Sequence, residues 1–506
     1  MFEHLWVMGL LFVFGFVTTV LIVPVFKGLA HTFGFVSAPG IRKTHTQPTP
    51  MLGGITIFVP FCLVFTCFFV LSLTDRLSPY HADRFQMLSL FLGSAWIMLL
   101  GTIDDRAPLG WRKKLLGQIV GTLIPVLGGH TIATATLPLF GPVDFGLLGI
   151  PLFMIAVIAI TNAINLIDGI DGLAGGICFF AALTSGIIGL SNGDLFPATI
   201  SFVISGSLLG FLMYNFPPAS MFLGDGGSML IGFLLGTLAM SAQAIAPGQR
   251  LGTSVMILVP FLPFGIPLFE VGLSIVRRWF RGQAIFLGDG DHLHYRVRDK
   301  TENPRLTVAI FYLFSATFCA LTLFLVLRLE SGIVKFLIVI ASIVLFGGVI
   351  ASIGLYRVAN FSTTLRNRRH FRYLGSYLSS MRRRIEKSQS IDDLIDLLES
   401  GVSDLNFDTV EVFYDGRTVK KWSNPRKVHP HATRMDSEAT LGGGRLSVKW
   451  QRPIHHEEPY NEYLRMTWSR FLAALGDDPA VRAGNPTASE ETNLSGTIDT
   501  NAQSRD

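Results

Sequence analysis

Apolar stretches close to the length that crosses a hydrocarbon core recur along the chain to about residue 355, separated by short polar segments. Beyond that point the alternation becomes polar. By the twenty-residue criterion the pattern predicts eleven spans: Leu5–Phe26, Leu52–Leu73, Met87–Ile103, Leu115–Leu127, Leu147–Ile164, Leu173–Leu190, Leu195–Tyr214, Ser228–Ile245, Val255–Val276, Leu306–Leu327 and Ile333–Leu355. The fourth is the shortest.

The expected fold is an all-α polytopic membrane protein of about eleven transmembrane helices with a small C-terminal cytoplasmic α/β domain. Residues 1–360 form the membrane domain, 361–478 the α/β domain, and 479–506 a disordered, Ser/Thr/Asn/Gly-rich end. Within the polar region, Ser390 to Asp393 opens an amphipathic helix carrying Ile391, Leu394, Ile395 and Leu398. Strand-like Thr409–Tyr414 and Arg445–Trp450 follow, then a helix from about Pro459 to Leu475.

Composition agrees with the membrane reading: half of the residues are hydrophobic and only 15% are charged, a balance unlike that of a soluble domain. The first apolar stretch lacks a basic leader and carries Glu3, so it reads as a retained helix rather than a cleaved signal. Cys62, Cys67, Cys178 and Cys319 all lie in apolar stretches without metal-ligand spacing, which points to packing. The formal charge of +5 does not call for nucleic acid, because basic residues gather at cytoplasmic loop ends in membrane proteins.

The basic residues do gather. Lys27, Arg42, Lys43, Arg106, Arg112, Lys113, Lys114 and the cluster from Arg277 to Arg305 fall in one set of alternate loops. The positive-inside rule then places the N-terminus outside and the C-terminus in the cytoplasm. Every polar cluster able to carry chemistry lands on that same cytoplasmic side.

Asp104 and Asp105 end an apolar helix, with Arg106 next to them and Lys114 and Gln118 opening the following one. A carboxylate at mid-span costs roughly 2.5–3.5 kcal/mol on insertion scales, so a pair at the boundary calls for a metal or a lysine, unless it is a solvated cap. Asn162, Asn165 and Asp168, spaced by three, fall about a turn apart and can share a face, followed by Asp171 among glycines. Hard oxygen donors beside close backbone suit Mg²⁺ and phosphate. The loop from Asn215 to Ser228 carries Phe222, able to stack on a base, and Asp225 ahead of a helix N-terminus; an Asp/Gly turn with a serine cap is the plain alternative. His292, His294 and Arg296 suit a diphosphate or a sugar, while a solvated basic loop or half of a zinc site are the other readings. Arg42, Lys43 and His45, in the first loop, either bind anionic groups or simply follow the charge rule.

In this order the motifs resemble the polyprenyl-phosphate N-acetylhexosamine-1-phosphate transferase family. The matching features are paired aspartates with a lysine near, Asn-x-x-Asn-x-x-Asp-Gly-x-Asp-Gly-Leu from Asn162, Phe-x-Gly-Asp-x-Gly-Ser from Phe222, and the late histidine loop. The resemblance implies Mg²⁺, with Mn²⁺ as a substitute, on Asp225 and Asn165. It also implies Asp104 and Asp105 at the acceptor phosphate with Lys114, Phe222 and Asp171 at the uracil, and Asn162, Asp168 and Asn215 shaping the pocket. His292, His294 and Arg296 would face the sugar phosphate. The implied partners are a UDP-N-acetylhexosamine, undecaprenyl phosphate and the lipid bilayer, with a homodimer compatible. The implied location is a bacterial inner membrane, and the implied reaction is the first step of a cell-envelope polysaccharide, as in cell-wall or O-antigen assembly.

The chain departs from the family at Ser37 and Met51, where aspartate and arginine are frequent, and at Glu270, where aspartate is frequent. It departs again at Ala284-Ile285 and at Tyr295, where a further histidine is usual. These positions bear on the sugar more than on the reaction. The closest rival is a phospho-MurNAc-pentapeptide translocase. An ion-coupled transporter would need ionisable groups near mid-membrane, and a receptor signalling through its tail leaves the loop motifs unexplained.

Overall fold

The computed structural model describes residues 2–37, 48–73, 83–132, 134–137, 141–241, 259–281, 292–327, 332–352 and 380, and the strand segments 409–414, 417–423, 432–441 and 444–453. The chain falls into two units, one holding the apolar helices and the other the C-terminal strands.

In the first unit the apolar stretches form α1 (Phe2–Phe33), α2 (Gly53–Leu73), α3 (Arg84–Arg106), α4 (Trp111–Leu127), α5 (Gly149–Ile167), α6 (Leu173–Asn192), α7 (Leu195–Asn215) and α8 (Gly224–Ser241). Then come α9 (Gly265–Arg281), α10 (Leu293–Thr301), α11 (Pro304–Leu327) and α12 (Gly332–Ser352). A helix therefore lies in each expected span. Among the described residues, seven helical segments are long and apolar enough to cross a membrane: those of α1, α2, α3, α5, α6, α7 and α11. Eleven crossings were expected; α4 and α9 each have only 17 residues, too few for an untilted crossing.

The outer surface is apolar. Leu21, Leu123, Met213 and Leu313 are exposed, which suits hydrocarbon rather than water. The helix α7 runs through the middle, with nearly nine-tenths of its most apolar window buried, packed on α1, α2 and α6. Small residues make that approach close, since a side chain at Gly206 would run into the Phe12 backbone of α1. Cys178 and Cys319 are buried as expected, but Cys67 is exposed and Cys62 is partly so, so packing accounts for only two of the four cysteines.

Two short hairpins were not expected. Strand β1 (Val36–Ser37) pairs antiparallel with β2 (Thr49–Pro50), and β3 (Thr134–Leu137) with β4 (Gly141–Asp144). The first brings the two ends of the basic loop together. In the second unit, β5 (Thr409–Tyr414), β6 (Arg417–Ser423), β7 (Ala432–Leu441) and β8 (Gly444–Pro453) form an antiparallel sheet in the order β6-β5-β8-β7. The strands expected at 409–414 and 445–450 coincide with β5 and β8. The helices expected at 390–398 and 459–475, and the end from 479, lie outside the described residues.

Candidate active site

Helix packing brings together residues far apart in sequence. Asp104 lies at the end of α3, Lys114 in the first turns of α4, Asn165 near the end of α5 and Asp225 in the first turn of α8. The Lys114 ammonium lies 2.8 Å from Asp104 Oδ2 and 2.6 Å from Asp225 Oδ2, and donates to Asn165 Oδ1 at 3.2 Å. Asn165 Nδ2 donates to Asp225 Oδ1 at 2.8 Å and to Ser228 Oγ at 2.9 Å. One cation is thus surrounded by two carboxylates and an amide, which compensates the charge that would otherwise be costly at this boundary.

Asp105 does a different job from its neighbour. Its two oxygens accept the backbone N–H groups of Asp225 and Gly226 at 2.8 and 3.0 Å, holding the start of α8 against α3. A carboxylate at a helix N-terminus satisfies amides that the helix leaves unpaired. Gly224 makes this fit possible: its φ is +74°, and a side chain there would meet Asp105 and the Met51 carbonyl.

The spacing argument for Asn162, Asn165 and Asp168 holds in part. Asn165 enters the charged cluster, but Asn162 exchanges two hydrogen bonds with the buried Gln118 of α4, at 2.8 and 3.2 Å. Asp168 stands past the last turn of α5. It is partly buried, and burial, then the charges of Asp225, Asp105 and Asp171, holds its carboxyl well above the usual range.

The next loop is tied down by amides and carboxylates. Asp171 Oδ2 accepts from Ala219 N at 2.9 Å, and Asn215 accepts from Gly172 N and donates to the Met221 carbonyl, both at 2.9 Å. Phe222 is half-buried, and its N–H donates to the Pro50 carbonyl at 2.7 Å, next to the β1–β2 pair. Gly169, Asp171, Pro217, Arg298 and Arg305 line an open hollow of about 430 Å³; Phe222 is not among its lining residues.

The family model for glycosyl transferase family 4 matches residues 87–243, from α3 through α8. Over 308 residues the chain is 31% identical to the probable undecaprenyl-phosphate N-acetylglucosaminyl 1-phosphate transferase of Bacillus subtilis, covering 61% of this chain and 82% of that protein. Over 302 residues it is 33% identical to the decaprenyl-phosphate N-acetylglucosaminephosphotransferase of Mycobacterium tuberculosis, covering 56% and 74%. The chain belongs to the polyprenyl-phosphate N-acetylhexosamine-1-phosphate transferase family. It is a transferase and a multi-pass membrane protein. The family is wide enough that a phospho-N-acetylmuramoyl-pentapeptide-transferase of Halalkalibacterium halodurans is 28% identical over 314 residues, 58% of this chain and 91% of that protein.

The histidines of the family motif turn inward. His294 is fully buried, with Nδ1 2.7 Å from Glu270 Oε1 of α9, and His292 Nδ1 lies 3.4 Å from the same oxygen. Arg296 sits half-buried in the first turn of α10. Arg42, Lys43 and His45 lie outside the described residues.

Three contributors escaped the sequence reading. Ser228 was quoted as part of the Phe222 motif, with a cap as its plain alternative, and was given no site role; it accepts from Asn165. Tyr312, inside an apolar stretch of α11, donates to the Gly172 carbonyl at 2.7 Å. Glu270 was noted only as a departure from the family, and its partners are the motif histidines. A lone polar residue in a long apolar stretch is the signal that could have found Tyr312 and Glu270.

The family implies a divalent cation. The residues fit one, because the oxygens of Asp104, Asp225 and Asn165 that face the Lys114 ammonium are the hard donors such an ion takes. Among the described residues no cluster of three or more His, Cys, Asp or Glu could hold a metal, so an amide oxygen would be part of the set.

Proposed function

We propose that this chain transfers N-acetylhexosamine 1-phosphate, with GlcNAc as the sugar, from its UDP-sugar to undecaprenyl phosphate on the cytoplasmic side of a bacterial inner membrane. The product opens the assembly of a cell-envelope polysaccharide. The observation that carries this reading is the convergence of Asp104, Lys114, Asn165 and Asp225 from four helices at one end of the bundle.

An oxygen of the acceptor phosphate attacks the β-phosphorus of the donor. The bond from that phosphorus to the oxygen bridging to the α-phosphorus breaks, and UMP leaves with the electron pair. Repulsion between two anions is the obstacle. Mg²⁺, or Mn²⁺ in its place, would be held by Asp225 and Asn165 and would neutralise the diphosphate and the departing UMP. Lys114 supplies positive charge to the approaching acceptor phosphate. Asp104, 2.8 Å from the Lys114 ammonium, would take any remaining proton. Asp105 fixes the start of α8, and with it Asp225, at the distance that α3 sets. Asp171 and Phe222 recognise the base, and Asn215 and Asp168 shape the loop that carries Asp171.

The test is the purified full-length protein in lipid nanodiscs with undecaprenyl phosphate and a panel of UDP-sugars, scored by UMP release with and without EDTA. Release is expected from UDP-GlcNAc or a close UDP-N-acetylhexosamine, and it should stop in EDTA. Faster release from UDP-MurNAc-pentapeptide would assign the chain to the pentapeptide branch.

A further inference from the structure

The histidine motif and α9 meet in a contact that the reaction as described leaves unused. Glu270 is 2% exposed and His294 0% exposed, and Glu270 Oε1 lies 2.7 Å from His294 Nδ1. Among the described residues neither Glu270 oxygen has an aligned hydrogen-bond partner, so the contact rests on proximity inside a buried site. The His292 and His294 rings stack with centroids 5.4 Å apart and planes 5° from parallel, which brings both Nδ1 atoms toward one carboxylate. A carboxylate buried this deeply is costly unless a cationic or polar partner accompanies it.

The other side of the His294 ring faces the donor loop. A side chain at Gly169 would run into His294 Nε2 and the Tyr295 hydroxyl, so the ring edge lies directly against the backbone between Asp168 and Asp171. Tyr295 Oη adds a weak hydrogen bond to the Gly169 carbonyl at 3.5 Å. With Nδ1 lying against Glu270, Nε2 is the ring nitrogen that faces that backbone.

We propose that Glu270 is a positioning residue of the donor site, acting through His294 to hold the Gly169 segment and so to place Asp171. The proposal rests on the reading of Asp171 as a donor contact. It also explains how a chain carrying glutamate here, where aspartate is frequent, can hold its motif: the longer side chain reaches across to α10.

The experiment uses full-length protein in nanodiscs with UDP-GlcNAc and undecaprenyl phosphate. It compares wild type, Glu270→Gln, Glu270→Asp, His294→Asn and the double variant Glu270→Gln/His294→Asn. Glu270→Gln is expected to raise the donor KM by about 10-fold, in line with the loss of a carboxylate that orients a functional histidine, while the acceptor KM stays within twofold. Glu270→Asp should recover part of the loss. In the His294→Asn background, Glu270→Gln should add less than twofold, because its route is already gone. Hydrogen–deuterium exchange of residues 168–172 should rise in Glu270→Gln and rise no further in the double variant.

A merely structural role would lower the active fraction and the thermal midpoint with both KM values unchanged, and that result overturns the proposal. So does an equal effect of Glu270→Gln in both backgrounds, or exchange at 168–172 that does not change. If wild type releases no UMP while the exchange pattern appears, the proposed function falls and the positioning contact stands.

Discussion

Asn165 of α5 donates its side-chain amide to Asp225 of α8 at 2.8 Å, joining two helix ends that lie 60 positions apart in the chain. The same amide group turns its oxygen toward Lys114, so Asn165 touches both the anion and the cation of the site. Any change at Asp225 is therefore felt by α4 and α5 together.

Asp225→Asn keeps the shape of this contact and removes its charge. UMP release is expected to fall by about 100-fold or more, the scale seen when one preorganised electrostatic contact is lost from an active site. The thermal midpoint should stay close to wild type, because Asp225 lies at a helix start and not in the apolar core. Turnover within a few-fold of wild type would remove Asp225 from the mechanism.

Gln118 and Asn162 predict a different outcome. Gln118 is 1% exposed and makes its paired hydrogen bonds with Asn162 alone of the site residues. Gln118→Leu takes the donor from Asn162 Oδ1, while Asn162 Nδ2 keeps its bond to the Ile158 carbonyl, and should cost about 1–3 kcal/mol of stability. Replacing both by leucine should recover most of it. Thermal unfolding of the two single variants and the pair checks this, and additive losses would contradict the pairing.

Asp168 gives a dependence on pH. Burial, followed by the charges of Asp225, Asp105 and Asp171, raises its carboxyl above the unfolded value, so the folded protein binds that proton more tightly. As pH climbs from the ordinary carboxylate range, at about 4, the unfolded chain ionises freely and the folded one does so only at a cost. Stability from this group is thus greatest at low pH and declines until the raised pKa is passed. The thermal midpoint of Asp168→Asn should gain on wild type as pH rises toward neutrality. A difference that stays constant with pH would count against it.

The region after α12 should be regulatory. The family match ends at residue 243, and the motif residues all precede residue 297. A chain ending near Arg369 should insert and keep UMP release within a few-fold. Complete loss in a stably inserted truncation would show that the C-terminal strands are needed for catalysis.

The sequence alone determined the membrane class and the order of the motifs. Apolar stretches near twenty residues can satisfy their backbone only as helices in lipid, so α1 to α8 were legible from hydropathy. Asp104, Lys114, Asn165 and Asp225 were legible because charged and amide groups at the ends of apolar stretches are costly there and stand out. Spacing also named Asn162 as a partner of Asn165 and Asp168, on the argument that side chains three apart share a helical face.

What a shared face meets was decided by packing. The direction of α4 against α5 gives Gln118 to Asn162 and Lys114 to Asn165, one turn apart, and no local pattern carries that choice. The same holds for Asp105, whose neighbour takes the lysine while it takes the α8 amides. Glu270 and His294 are 24 positions apart, and residues between them lie outside those described; their contact exists only in the folded chain. Periodicity reports which side of a helix avoids lipid; the partner on that side is set by how helices distant in sequence pack, because that is where buried charge finds its compensation.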